Sequence, residues 1–257
     1  MEKKRLPVIT PQLETAAPSY TPAASSPFAV LVIAKSDRIR LFSFPRTIVD
    51  AIQEMIQSLW PRGIQKVQEF SDSHEFKLCG RPWGSNVDEE TLATRLLSRI
   101  LAMLHSHGWV LDITTDISKR MDTRDALLFR HKQLIPESCE WTSINFNGSD
   151  QLLIIDAPSD LIQAFTEGLS LITKNHKPYK LQDVYELRLS PGQWGTFPDD
   201  PIPMQSWKLA LRLTELLASH GFRVYGSIHQ KCSASSFEAS TWHCFRRRGW
   251  VSGAPVS

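Results

Sequence analysis

The chain has 257 residues, 42% of them hydrophobic and 22% charged, which is the balance of an ordinary globular protein. Its formal net charge of +2 predicts neither a polyanionic partner nor an acidic substrate. Its apolar stretches are shorter than the roughly 20 residues that a membrane-spanning helix needs, and its four scattered cysteines are typical of reduced thiols. We therefore expect a soluble protein of the cytoplasm or nucleus, without a membrane partner.

Residues 1–26 are rich in Pro, Ala, Ser and Thr and lack apolar periodicity, which predicts a disordered tail. From residue 27 two strands flank a polar turn, and an amphipathic helix follows Pro45. The alternating strand "EFKL" comes next, and then a leucine-rich helix that begins at Asn86 and ends at Gly108. Two short strands complete this unit.

The second half of the chain repeats the first. When the sequence is aligned with itself so that Asn147 falls on Ala34, similar blocks meet in the same order, with only small insertions. A repeat of this length indicates a duplicated domain rather than a solenoid. The matched pairs include Pro45 with Pro158, Glu75 with Glu186, Trp83 with Trp194, "SHGW" at Ser106 with "SHGF" at Ser219, and "DALLFR" at Asp125 with "TWHCFR" at Thr241.

The sequence thus predicts an α+β protein of two tandem ββαβαββ repeats. Consecutive hairpins favour a mostly antiparallel sheet with helices packed on one face, and the duplication favours an approximate twofold relation. We expect repeat 1 over residues 27–133, repeat 2 over 134–252 and a short tail over 253–257. The connector "HKQLIPESCE" is short enough to keep the repeats in contact.

Several blocks carry a resemblance. "HEFKLCGRPW", "LHSHGWVLDI" and "DALLFR", with Asp116 and Lys119 between the last two, resemble a group of uncharacterised eukaryotic proteins with two tandem copies of a domain that contains EFKLxGxPW and HGW motifs. The resemblance implies the two-copy architecture and no activity. The chain departs from it in repeat 2, where the Pro-rich "TFPDDPIPMQ" replaces the acidic start of the second helix.

The repeated Ser-His-Gly predicts the same helix ending in each copy. Gly108 and Gly221 are expected to supply the positive φ of a C-terminal cap. His107 and His220 fall in the last turn, where an imidazole suits the unpaired carbonyls. Trp109 and its counterpart in repeat 2 then point inward as the next strand begins.

Two tryptophans are candidate binding residues. Trp83 lies in "GRPWG" and Trp194 in "PGQWG", each in a turn after a strand. Each is interpreted either as a buried anchor or as an exposed aromatic that holds a ligand or partner. The second interpretation leaves open a small-molecule-binding protein, or an enzyme, with its pocket near both residues.

No metal site or cofactor is predicted. The segment from His229 to Cys244 holds two histidines and two cysteines, the ligand types of zinc. Its adjacent His243 and Cys244 should nevertheless point to opposite faces of a strand. The sequence match places them on Leu127 and Leu128, ordinary strand residues.

The function that these observations favour is a non-enzymatic interaction or scaffold protein. The positions shared between the copies are mainly Gly, Pro, Trp and aliphatic residues, which set shape and packing. We expect a protein partner to bind through a sheet face or an inter-repeat groove. A further alternative is nucleic-acid binding through Arg246, Arg247 and Arg248 near the end of the chain.

Overall fold

The computed structural model describes residues 26–70, 72–84, 86–116, 123–191, 204–230 and 240–255. These residues form two α+β domains, each with a six-stranded antiparallel sheet and two helices. The predicted duplicated α+β fold is confirmed. Apart from Ser26, the tail predicted over 1–26 lies outside the described residues. Within the ranges given, helices long and apolar enough to span a membrane are absent.

Each domain contains its elements in the same order along the chain. Domain 1 contains β1 (Phe28–Ala34), β2 (Arg38–Phe42), α1 (Arg46–Leu59), β3 (Ile64–Phe70), β4 (Ser73–Leu78), α2 (Val87–Ser106), β5 (Trp109–Thr115) and β6 (Thr123–His131). Domain 2 contains β7 (Cys139–Asn147), β8 (Gln151–Ile155), α3 (Ser159–Gly168), β9 (Thr173–Pro178), β10 (Val184–Leu189), α4 (Met204–Ser219), β11 (Arg223–Ile228) and β12 (Thr241–Arg247).

The two sheets have one topology. From edge to edge, sheet A of domain 1 has the strand order β3-β4-β2-β1-β6-β5, and sheet B of domain 2 has β9-β10-β8-β7-β12-β11. Every strand of sheet A therefore has its counterpart at the same place in sheet B. Even the irregularity between β5 and β6, after Leu111, recurs between β11 and β12 after Val224.

One strand in each domain was not predicted. β3 and β9 lie at the sheet edges and extend the predicted ββαβαββ order to ββαββαββ. Most side chains of β3 and nearly all of β9 are exposed. Edge strands are held by backbone hydrogen bonds to one neighbour, so these two need no apolar alternation that a sequence pattern would reveal.

The helices of each domain cover one face of its sheet, as predicted. In domain 1, Leu31, Ile39 and Phe76 of the sheet are fully buried beneath α1 and α2. In domain 2, Leu152 and Leu187 are buried beneath α3 and α4. Each fully buried side chain of this size contributes about 1.5–3 kcal/mol to folding.

The repeated Ser-His-Gly ends the second helix of each domain in the same way. Gly108 and Gly221 have φ of 81° and 75°. The imidazole Nδ1–H of His107 donates to the Met103 carbonyl at 2.8 Å, and that of His220 donates to Leu216 at 3.0 Å. The predicted caps are confirmed, and Trp109 and Phe222 after them are buried.

Strand pairing corrects the last block of the sequence match by one residue. Leu128 pairs with Val30, and His243 pairs with Ser143. Since Ser143 is the counterpart of Val30, His243 is the counterpart of Leu128 rather than of Leu127. The sequence alignment rested on the shared letters "FR" at the end of each block. A shift of one residue exchanges the two faces of a strand, so the strand pairing decides which residues are equivalent.

Gly221→Ala is expected to reduce the free energy of unfolding more than Gly63→Ala. Both glycines have positive φ, so an added Cβ costs roughly 1–2 kcal/mol at either position. Only at Gly221 does that Cβ overlap a neighbour, the indole of Trp250, which adds about 1–3 kcal/mol. Urea unfolding monitored by circular dichroism measures both losses. Equal losses of unfolding free energy in the two variants would contradict an overlap between the added Cβ and Trp250.

Candidate functional site

Helix α2 is buried on two sides. Its leucines and isoleucines pack on sheet A, and its other side lies against β7 and β8 of sheet B. On that second side Thr91, Thr94, Ser98 and His105 are buried. Their small or polar side chains let the helix come close to the sheet. Sheet B is therefore covered on one face by its own helices and on the other by a helix of domain 1.

The contact between the domains is one-sided. A twofold relation would place α4 on sheet A in return for α2 on sheet B. Instead, Trp207 and Leu211 of α4 are 70% and 61% exposed. The predicted approximate twofold does not extend to this contact, because only one of the two equivalent helices has the neighbouring sheet as its partner.

A buried histidine lies in the middle of this interface. The Nδ1 of His243 is 2.9 Å from the hydroxyl of Ser143, and its Nε2 is 2.6 Å from the Nε2 of Gln230. Ser143 and His243 are 1% and 0% exposed, and burial lowers the pKa of His243 to about 3. The serine–histidine pair is therefore a neutral, solvent-free contact rather than an accessible nucleophile with its base.

A second set of hydrogen bonds links α2 to the same strands. Asn145 accepts a hydrogen bond from Thr241 at 3.0 Å and donates to Thr94 at 3.5 Å. Thr94 in turn donates to Gln230 at 3.4 Å. These residues are at most 4% exposed. We call this set, with Ser143 and His243, the interface network.

Aromatic rings close the interface at the end of α2. His105 lies 5.7 Å from the rings of both Trp141 and Tyr225, and 5.4 Å from Phe245. The Tyr225 hydroxyl accepts a hydrogen bond from the backbone N–H of Leu111 at 2.7 Å. Desolvation raises the pKa of Tyr225 to about 12, so the tyrosine is neutral.

An inter-repeat groove of about 750 Å³ lies beside these rings. Its walls include Arg99 of α2, the connector from Ile135 to Ser138, and Asp156 after β8. Asp156 pairs with Arg95 at 2.9 Å and with Arg99 at 2.8 Å. Asp156 and the two arginines therefore bind one another across the domain boundary, at the edge of this groove.

Of the two tryptophans predicted as binding residues, the structure describes Trp83. Trp83 is 1% exposed, and its indole N–H donates to the backbone carbonyl of Arg38 at 3.3 Å. Its contacts are those of an anchor that holds the turn after β4 against β2. Trp194 lies outside the described residues.

The three arginines predicted as a nucleic-acid-binding group lie in different environments. Arg246 donates to Glu140 at 2.8 Å and to Asp160 at 2.9 Å, with its guanidinium 4.6 Å from the centre of the Phe222 ring. Arg247 forms an ion pair with Glu137. Arg248 is exposed and borders the groove.

The zinc ligand types do not come together in the described part of the chain. Among those residues, clusters of three or more His, Cys, Asp or Glu side chains able to hold a metal ion are absent. His243 belongs to the interface network, and Cys244 points to the opposite face, into the core of domain 2. Cys232 lies outside the described residues.

A pair of buried glutamates was overlooked. Glu75 is 2% exposed and accepts hydrogen bonds from Arg38 and Arg40. Burial opposes its ionisation, but the two arginines outweigh this and lower the pKa of Glu75. Glu186, its counterpart, is 5% exposed and accepts from Gln151 at 2.6 Å. The sequence signal for this pair was the same charged residue at matched strand positions of the two copies.

Sheet A has an open face opposite its helices. One row of paired residues crosses all six strands there, and both of its ends are more than half exposed: Phe70 at 54% and Ile113 at 53%. In sheet B, the centre of the counterpart row lies beneath α2, which packs on β7 and β8. The row in sheet A contains Phe70, Ser73, Phe42, Val30, Leu128 and Ile113.

Comparison with known proteins agrees with the two-domain structure. Residues 27–130 and 140–245 each match the same family model of a single domain. These two matches cover most of the chain. The protein belongs to this domain family and contains the domain twice. Neither the curated proteins nor the solved structures gave a match.

His243→Leu is expected to flatten the pH dependence of stability. The folded pKa of about 3 lies below the ordinary 6.5, so between these values the unfolded chain binds a proton that the folded chain does not. The free energy of unfolding therefore falls as the pH decreases through this window, by about 1.4 kcal/mol per pH unit from this residue. Part of the slope will remain, since burial also lowers the pKa of His105.

The measurement is urea unfolding at several pH values between 4 and 7. His243→Leu should also cost about 1–3 kcal/mol at pH 7, because Ser143 and Gln230 lose their partner. The control is Thr142→Val, which removes the buried hydrogen bond from Thr142 to the Ile155 carbonyl without removing a titratable group. It should lose stability but keep the wild-type slope. A His243→Leu slope equal to that of the control would refute the expectation.

Proposed function

We propose that the protein is a non-enzymatic interaction protein that binds a protein partner through the open face of sheet A. The observation that carries this proposal is the difference between two equivalent faces. In sheet B the face is buried beneath α2, whereas in sheet A its counterpart keeps partly exposed apolar side chains. A group of neighbouring, partly exposed apolar side chains on one sheet face is typical of an interaction surface.

The composition of the open face supports a protein as the ligand. Val30 and Leu128 occupy its centre, and Phe28 lies beside them with Arg130 stacked 5.1 Å from its ring centre. Arg40 and the buried Glu75 form a charged border. An apolar centre with a charged margin is the usual anatomy of a protein–protein interface.

The other predicted surfaces have weaker support. The charges on the inter-repeat groove that hold the domains together are already paired, and Arg246 is engaged by two carboxylates and two aromatic rings. Trp83 is buried in the core of domain 1. These groups already stabilise the folded domains, so contacts with them add less binding energy than contacts with the open face.

Photo-crosslinking in cells tests the proposal. A benzoylphenylalanine at Phe28 on the open face is expected to form discrete protein adducts, and Ile113→Asp in the same chain should abolish them by adding a charge to the face. The matched control probe replaces Leu134, which is 85% exposed in the connector. Identical adducts from both probes, or adducts that survive Ile113→Asp, would count against binding at this face.

A further inference from the structure

We infer that the open face of sheet A binds helix α4 of a second copy of this chain. This inference rests on the proposed function and names its partner. It starts from the contact already present within the chain, in which α2 of one domain covers the outer face of the next domain's sheet. The equivalent helix of domain 2, α4, and the equivalent face of domain 1, that of sheet A, both carry exposed or partly exposed apolar residues.

The helix surfaces correspond residue by residue. In the alignment that places Asn147 on Ala34, Trp207 falls on Thr94 and Leu211 on Ser98. Thr94 and Ser98 belong to the side of α2 that is buried against sheet B. At the same two places, α4 presents a tryptophan that is 70% exposed and a leucine that is 61% exposed. Large apolar side chains at such exposure on a regular helix indicate an unfilled contact.

The sheet surfaces correspond in the same way. The interface network of sheet B uses Ser143, Asn145, Thr241 and His243 at the centre of its outer face. The strand pairing places apolar residues at all four equivalent positions of sheet A, and each is partly exposed: Val30, Val32, Ala126 and Leu128.

The chemistry of the two contacts therefore differs in a matched way. Within the chain a polar helix side meets a polar sheet face, where Thr94 hydrogen-bonds to Asn145 and Gln230. On the unfilled pair, an apolar helix side would meet an apolar sheet face. Each helix surface suits the sheet surface that this arrangement assigns to it, and exchanging them would bury unpaired polar groups. This complementarity favours a second copy over an unrelated helix.

The arrangement is head-to-tail, because one copy contributes α4 and the other contributes sheet A. The ion pairs of the internal contact have no counterpart here. Asp156, which holds Arg95 and Arg99, corresponds to Ser43 in domain 1. The association should therefore depend on apolar area, and its dissociation constant should change little with ionic strength.

Sedimentation of the purified full-length chain over a range of concentrations tests the inference. We expect species of twice the chain mass or more as concentration rises. Trp207→Glu and Val32→Asp should each weaken the association by at least about tenfold, since each adds a charge to the contact. Leu134→Glu, at a leucine of the connector that is 85% exposed, should leave the association unchanged. Circular dichroism verifies folding; if Val32→Asp does not fold, the more exposed Ile113→Asp replaces it.

Mixing the two variants is the decisive measurement. The Trp207→Glu chain keeps an intact sheet A, and the Val32→Asp chain keeps an intact α4, so the mixture should recover one contact and form a heterodimer. If α4 paired with α4, the Val32→Asp chain would still dimerise alone, and if one sheet face paired with another, the Trp207→Glu chain would do so. Either result, or a mixture that stays monomeric, would overturn the inference. A wild-type chain that remains monomeric at all concentrations would overturn it as well.

A benzoylphenylalanine at Ile113 in the purified chain identifies the occupant. A crosslink to the peptide that contains Trp207 and Leu211 of another copy supports the inference. A crosslink to residues 1–25 of the same chain overturns it. Failure here leaves the proposed function separately testable, because adducts formed in cells from Phe28 to a different protein would uphold partner binding while excluding self-association.

Discussion

Helix α2 must satisfy two sheets at once, and the arrangement of the domains depends on how it does so. Toward sheet A it presents leucines and isoleucines, and toward sheet B it presents Thr91, Thr94 and Ser98. A buried hydroxyl or amide left without a partner costs about 1–3 kcal/mol. The hydrogen bonds among Thr94, Asn145 and Gln230 remove that cost only in one register. The interface network thus specifies which residues of the two domains meet.

Duplication explains why one chain contains both a filled and an open version of the same surface. The two sheets share strand order and even the irregularity after Leu111 and Val224, so their backbones impose the same faces. What differs is the chemistry of the outer side chains. His243 and Asn145 are polar where Leu128 and Val32 are apolar. This divergence makes the outer face of sheet B, and not that of sheet A, the polar match for α2.

Local features of the fold were predictable from the sequence, and long-range ones were not. The Ser-His-Gly endings follow from the neighbouring residues alone, and so do the leucine stripes. The edge strands β3 and β9 are held through backbone pairing with exposed side chains, and leave no apolar pattern. The network joins Thr94 to Asn145 across the domain boundary, a contact that depends on how two folded sheets dock. The buried Glu75 and Glu186 were visible as a match but gave no sign of burial.

The buried glutamates also bear on how strong a contact at sheet A can be. Glu75 holds Arg38 and Arg40 on the outer side of the sheet, beside the apolar row. Covering that corner would take the two partly exposed guanidinium groups out of water, at a cost that pairing rarely offsets in full. Under the proposed function, a partner would therefore gain from Val30, Val32 and Leu128 and would gain little from the neighbouring charges. An apolar strip bounded in this way favours reversible association over a permanent interface, because permanent interfaces are larger and more apolar.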